Sequence, residues 1–228
     1  MLLKRKNIMA NVVITGANRG IGLEFTKQYL AKGHQVYALC RNTSDDLTAS
    51  KATVIDRVDV GNPETLPDRL SKLKDVKIDI LINNAGVLGR ESIDDWDPIT
   101  IEHQFRVNAM GPLLVTQCLR PQLKNGSKIA LITSRMGSMT DNGSGSYYGY
   151  RMSKAALNMA GVSMAHDLKE QGIAVAILHP GFVQTEMVNN AGDISAQESA
   201  SRLMQRIEAL NMENSGTFWH SNGEVLPW

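Results

Sequence analysis

Short apolar runs rich in Val and Ile recur along the chain, each followed by a turn signal and then a longer amphipathic stretch. The runs span 11–15, 35–39, 53–58, 78–82, 128–133 and 173–178. Their hydrophobicity is continuous rather than alternating, as in strands buried on both faces of a parallel sheet. Helical patterns fall between and after them, over 20–32, 63–72, 100–123, 147–171 and 196–209. Strand and helix in alternation predict an α/β fold, a single-domain, doubly wound parallel sheet with helices on both faces. One interval breaks the rhythm. The arrangement asks for a helix near 42–50, but NTSDDLTAS is polar and turn-prone, so a short or missing helix is expected there.

Composition narrows the partners more than the chemistry. With 228 residues and 43% hydrophobic side chains, the chain suffices for one core. Residues 11–228 are read as that domain, and residues 1–10 as a disordered leader, with Met9 just before the first strand. Twenty-four basic and 23 acidic residues leave a net charge of +1, without a block of one sign. Nucleic acid and membrane are therefore not expected partners. The opening MLLKRKNIMA has no apolar run long enough for export or membrane insertion, which predicts a cytoplasmic protein. Cys40 and Cys118 lack ligand spacing and read as reduced small hydrophobes. The histidines at 34, 103, 166, 179 and 220 also lack ligand spacing, so no metal is expected.

The first chemical motif follows the first strand: Thr15-Gly16-Ala17-Asn18-Arg19-Gly20-Ile21-Gly22. Glycines at 16, 20 and 22 permit a tight turn and close backbone approach, so a pyrophosphate can rest on amides at the positive end of the next helix. A glycine pattern alone would also fit a turn with no ligand. Its place between a buried strand and an amphipathic helix favours the dinucleotide cradle.

The spacing T-G-x-x-x-G-x-G resembles that of the short-chain dehydrogenases/reductases, a branch of Rossmann-fold enzymes. Asn83-Asn84-Ala85-Gly86 at the end of the fourth strand, Asn108 in the following helix and Ser134 after the fifth strand extend the resemblance. So do Tyr150-Arg151-Met152-Ser153-Lys154 and Pro180-Gly181-Phe182-Val183-Gln184-Thr185. Within that family the chain is most similar to sniffer-type carbonyl reductases and C-factor-like proteins, from SYYGYRMSKAALN and the GTFWHSNGEVLPW ending. The resemblance implies a dinucleotide held by Gly16, Asn18, Arg19, Gly20, Ile21, Asn84, Ala85, Gly86 and Pro180. It also implies adenine contacts at Asp59 and Val60, and a nicotinamide carboxamide held by Thr185 and the Val183 backbone. Asn108 would hold a water that links Lys154 to solvent, and Lys154 would also bond the nicotinamide ribose.

The catalytic reading follows from the residues themselves. Tyr150 and Lys154 are four apart and share a helix face. A free tyrosine, with a pKa near 10, shuttles protons poorly at neutral pH. An ammonium about 4 Å away, at an effective dielectric near 20, favours the phenolate by up to about 4 kcal/mol, or roughly 3 pH units. Tyr150 is thus expected as acid/base with a lowered pKa, and Ser134 as the hydroxyl that polarises a substrate carbonyl. The function expected is hydride transfer between NADP(H) and a small carbonyl or alcohol. The alternative is a dinucleotide-binding sensor of the same fold without turnover. Intact Asn108, Ser134, Tyr150 and Lys154 favour the enzyme.

Cofactor choice rests on the end of the second strand, where a carboxylate would select an unphosphorylated ribose. Cys40 stands there instead, followed by Arg41, with Arg19 in the glycine turn, so two guanidiniums are placed for a 2′-phosphate. Met136, Met139, Tyr147, Met187 and Val188 are expected to wall the pocket for a medium-sized apolar carbonyl. Small apolar residues on the helix after Tyr150, among them Ala155, Ala156 and Ala160, suggest a homodimer.

Overall fold

The computed structural model describes residues 9–228, so the leader reading over 1–10 lies, except for Met9 and Ala10, outside the described residues. Strands β1 (Asn11–Thr15), β2 (Gln35–Leu39), β3 (Thr53–Ile55), β4 (Ile78–Asn83), β5 (Leu123–Ile132) and β6 (Ala174–His179) form the sheet. The short pair β7 (Val183–Gln184) and β8 (Ile194–Ser195) stands apart, and β9 (Phe218–His220) completes the main sheet. All seven main strands are parallel, in the order β3-β2-β1-β4-β5-β6-β9. The winding reverses between β1 and β4, and the crevice beyond their carboxyl ends is where such sheets bind ligands.

Within each continuous apolar run the side chains still alternate between two cores. Val13, Leu81, Ile129, Leu131, Val175 and Ile177 face one layer, while Val12, Ile14, Ile82, Ala130, Ala176 and Leu178 face the other. Helix α1 (Gly20–Ala31) contributes Phe25 and Tyr29 to the second core, and there it packs beside α7 (Ala196–Ala209) through Leu203, Met204 and Ile207. Leu66 and Leu70 of α3 (Leu66–Leu70), Val115 of α5 (Gly111–Cys118) and Leu157 and Met164 of α6 (Tyr148–Asp167) fill the first. Helix α4 (Pro98–Phe105) packs against α6. The weak interval near 42–50 carries only α2 (Asp45–Thr48), a single turn capped by Ser44.

The departures from the sequence pattern have local causes. The helix expected over 100–123 is broken into α4, a π turn at Arg106–Met110 and α5. Pro112 has no N–H to return to the Asn108 carbonyl four residues back, which is a recognised origin of such bulges. Pro121 then ends the helix early, and β5 begins at Leu123, before the expected 128. Strand β3 stops at Ile55 because Arg57 takes a left-handed conformation, with φ 56°. The edge strand β9 is three residues long and of mixed polarity, too short for a periodic signal.

Candidate active site

The loops after β1 and β4 are stitched together at the winding reversal. The Thr15 hydroxyl accepts the Asn84 and Ala85 amides, each at 3.0 Å, and the Asn84 side chain donates back to the carbonyls of Thr15 (3.0 Å) and Gly16 (3.2 Å). Gly16, at φ 66°, lies so close that a Cβ there would sit 2.9 Å from Ala85 Cα. At Gly22 a Cβ would fall 2.1 Å from the Gly16 carbonyl oxygen. This crossing admits no side chain at either position.

A cleft of about 340 Å³ opens over that stitch. It is lined by Gly16, Asn18, Arg19, Gly20 and Ile21 of the glycine turn and by Asn84, Ala85 and Gly86 after β4. Arg41, Asp59, Val60, Pro180, Thr185, Tyr150 and Lys154 of the expected set also line it. Helix α1 begins there with no side-chain cap and no acid in its first turn, whereas α2, α4 and α7 are capped by Ser44, Asp97 and Ser195. Its first amides are thus available to an anion. The gap that these glycines keep free of side chains and the open helix end fit a pyrophosphate.

The cofactor end of the cleft is tied across the sheet. Ser44 donates to the Asn18 carbonyl at 2.7 Å, fixing the loop after β2 against the glycine turn. Arg19 pairs with Glu186 at 2.7 Å, while Arg41 is exposed at the rim and makes no ion pair among the described residues. Asp46, in α2 shortly after Arg41, pairs with Lys27. Cys40 is buried at the strand end, in the place where an acid would read a ribose. The Asp59 carboxylate accepts the Gly61 amide at 2.9 Å and so shapes the turn beside the cleft.

On α6, Tyr150 and Lys154 do share one face, with the Lys154 Nζ 5.7 Å from the centre of the Tyr150 ring. Lys154 is buried, and its ammonium donates to the Ile132 carbonyl at 2.9 Å. Burial pushes it down to about 8. The expected lowering of the Tyr150 phenol is not found. Burial pushes it above its ordinary value, and the Ser134 hydroxyl pulls in the opposite direction. The reason is that one dry environment disfavours both charged forms, so the phenolate and the ammonium are penalised together.

Asn108 is fully buried with its side chain engaged. Its Oδ1 accepts the Val87 amide at 2.8 Å, and its Nδ2 donates to the Val87 carbonyl at 2.9 Å and to Ser153 Oγ at 3.0 Å. Any contact it offers the cleft must come from its main chain, inside the π turn. Val183 is buried in β7 and does not line the cleft, although Thr185 beside it does. Of the expected pocket wall only Met187 lines the cleft, and Met139 is 80% exposed. Ser44 and Glu186 were missed. The first carried a capping signal in Ser-Asp-Asp-Leu, whereas nothing local marks a pair 167 residues apart.

Among the described residues no group of His, Cys, Asp or Glu is placed to hold a metal, and no helix is long and apolar enough to cross a membrane. The short chain dehydrogenase family model matches residues 10–208. A 1-hydroxy-2-glutathionyl-2-methyl-3-butene dehydrogenase of Rhodococcus sp. (strain AD45) is 39% identical over 227 residues, covering 96% of this chain and 100% of the relative. The C-signal of Myxococcus xanthus is 44% identical over 154 residues, 66% of this chain and 93% of the relative. Among solved structures, an NADPH-bound carbonyl reductase from chicken fatty liver is similar at a TM-score of 0.88 and 30% identity, over 96% of this chain and 99% of that one. The likeness read from the motifs holds, in its broad form and in its narrower one.

The buried lysine makes a signed prediction about pH. Lys154 holds its proton to 10.5 when unfolded but only to about 8 when folded. Between those values the unfolded chain binds more protons, so stability rises with pH, and below about 8 the full burden of the buried charge remains. Replacing Lys154 by Met should stabilise the cofactor-free protein by about 1–3 kcal/mol at neutral pH and flatten that rise. Urea denaturation at about pH 7 and about pH 10 measures both. A variant less stable than wild type at neutral pH would contradict the assignment of Lys154 as a strained buried cation.

Proposed function

The chain belongs to the short-chain dehydrogenase family, and from that premise we propose that it moves a hydride between NADP(H) and a carbonyl or alcohol, with Tyr150 as acid/base. The observation that carries the proposal is that the Tyr150 phenol and the buried Lys154 ammonium line the cleft from one helix face, with the Ser134 hydroxyl acting on the phenol. A bound nicotinamide dinucleotide supplies or accepts the hydride. Tyr150 gives its proton to the carbonyl oxygen in reduction and takes it back from the alcohol in oxidation. Ser134 donates to the same oxygen, stabilising the charge that develops on it.

Among the described residues Lys154 has one acceptor, the Ile132 carbonyl, for three N–H groups. Ribose hydroxyls beside it would satisfy the remaining donors, so this lysine both binds the cofactor and favours the phenolate when Tyr150 has lost its proton. Asn108 lies in the π turn, where Pro112 withholds the usual helical donor from its carbonyl, and that carbonyl is the group offered to a water beside Lys154. Thr185 approaches the glycine turn, its methyl 3.4 Å from where a Cβ on Gly20 would be, which supports its reading as the carboxamide partner.

NADPH over NADH is proposed from Arg41, the unpaired cation at the cleft rim, and from the absence of an acid at position 40 among the described residues. Arg19 contributes only if it gives up Glu186. A cytoplasmic homodimer is the accompanying proposal, supported by Leu113, Met152 and Met159, which lie 42%, 49% and 67% exposed on α5 and α6. The substrate class proposed is an apolar carbonyl of medium size, supported by Met187, the apolar side chain that follows Thr185 and Glu186 in the cleft lining.

Tyr150→Phe removes only the transferable proton, so turnover should fall by about 10²–10⁴-fold while NADPH binding persists. Steady-state kinetics beside NADPH titration check this, and a variant with near wild-type kcat sinks the acid/base role. Arg41→Ala should raise KM for NADPH by about tenfold or more and leave NADH nearly unchanged, because one charge-assisted contact contributes roughly 1.5–3 kcal/mol. Equal loss with both cofactors contradicts the phosphate reading.

A further inference from the structure

The catalytic helix starts badly by its own sequence. Ser146 and Tyr147 both take the left-handed conformation, at φ 53° and 57°, and Tyr147 at the cap position offers no side-chain acceptor. The missing acceptors come from another loop. The Glu91 carbonyl accepts the Tyr147 amide at 2.6 Å, and Glu91 Oε2 accepts the Gly149 amide at 3.3 Å, one residue before Tyr150. We propose that Glu91 is a positioning residue for Tyr150, supplying from the segment after β4 the cap that α6 lacks. The proposal rests on the acid/base role of Tyr150.

Glu91 is itself held from all sides. It is only 5% exposed and has no cation within ion-pair distance among the described residues. Its Oε1 accepts Gln104 Nε2 and, at 3.3 Å, Thr100 Oγ1, both from α4. Gln104 Oε1 in turn accepts the Gly89 amide at 2.8 Å. A Cβ on Gly89 would fall 2.1 Å from Glu91 Oε1, and one on Gly149 would fall 2.4 Å from Gln104 Nε2, so both backbones press on this pair. Four residues beyond Gln104, Asn108 donates to Ser153 Oγ, which donates to the Tyr150 carbonyl at 2.9 Å. Tyr150 is thereby fixed from the preceding turn by Glu91 and from the following turn by Asn108 and Ser153. A serine or asparagine at 147 could have capped the helix alone. A buried carboxylate is a costly substitute unless it also sets where the helix begins relative to α4.

Glu91→Gln tests this with little change of shape. Its one oxygen can satisfy the two donors at Oε1, which leaves its NH₂ against the Gly149 amide and uncaps the helix. Glu91→Met uncaps it too and removes the carboxylate altogether, leaving the Gly149 amide and Gln104 Nε2 without that acceptor, so some loss of thermal stability is expected beside the kinetic effect. In single-turnover reduction of a carbonyl that the wild type accepts, both variants should lose tenfold or more in the rate constant, with the amplitude and the NADPH Kd unchanged. The Gly149 amide should exchange with solvent tenfold or more faster, whereas the Tyr147 amide, held by the Glu91 main-chain carbonyl that both variants keep, and the later turns of α6 should change little. Wild-type rate constants in both variants, or a loss confined to amplitude or to NADPH affinity, would overturn the proposal, as would unchanged exchange at the Gly149 amide. Absence of turnover in the wild type itself would instead overturn the hydride-transfer reading, and the exchange data would still decide the cap.

Discussion

The Thr15 hydroxyl accepts two amides at once, from Asn84 and Ala85, while the Asn84 side chain returns bonds to the carbonyls of Thr15 and Gly16. Those four contacts hold the tips of β1 and β4 together at the point where their loops leave in opposite directions. Everything in the cleft is placed relative to this joint. The glycine turn rests on it, Gly22 is excluded from carrying a side chain by it, and the segment leading to Glu91 departs from it. Because the joint lies between the two central parallel strands, both cores clamp it and it has little freedom to move.

Around that rigid joint, several groups are left short of partners, and they converge on the same cleft. Helix α1 starts without a cap, Lys154 is buried with one acceptor, and the Tyr150 phenol is raised by burial. Each costs stability in the isolated protein. Two other helices are capped by their own side chains: Ser195 and Glu198 at the start of α7 have the spacing of a capping box, and Asp97 caps α4. Polar groups short of partners that converge on one cleft are what an anionic, hydroxyl-rich ligand would complete.

Strands buried on both faces leave continuous apolar runs, so β1 and β2 were legible to the residue and α7 likewise. Helix breaks were less so. The pattern over 100–123 reads as one helix because Pro112 and Pro121 interrupt hydrogen bonding without interrupting the hydrophobic stripe. The cleft residues were legible because glycine spacing and strand ends are local features. The pair of Arg19 with Glu186 and the contact of Glu91 with Gly149 were not, since each joins loops 167 and 58 residues apart. The state of Tyr150 was misread for a related reason. Helical spacing gives the proximity of Lys154 but says nothing about burial, and burial decides the sign.

Hydride transfer itself is tested most directly by following NADPH absorbance in the presence of aldehydes, ketones and diones of graded size. The account predicts loss of absorbance with at least one apolar carbonyl of medium size. No loss with any of them, in protein that still binds NADPH, would contradict it and leave a dinucleotide-binding protein without turnover.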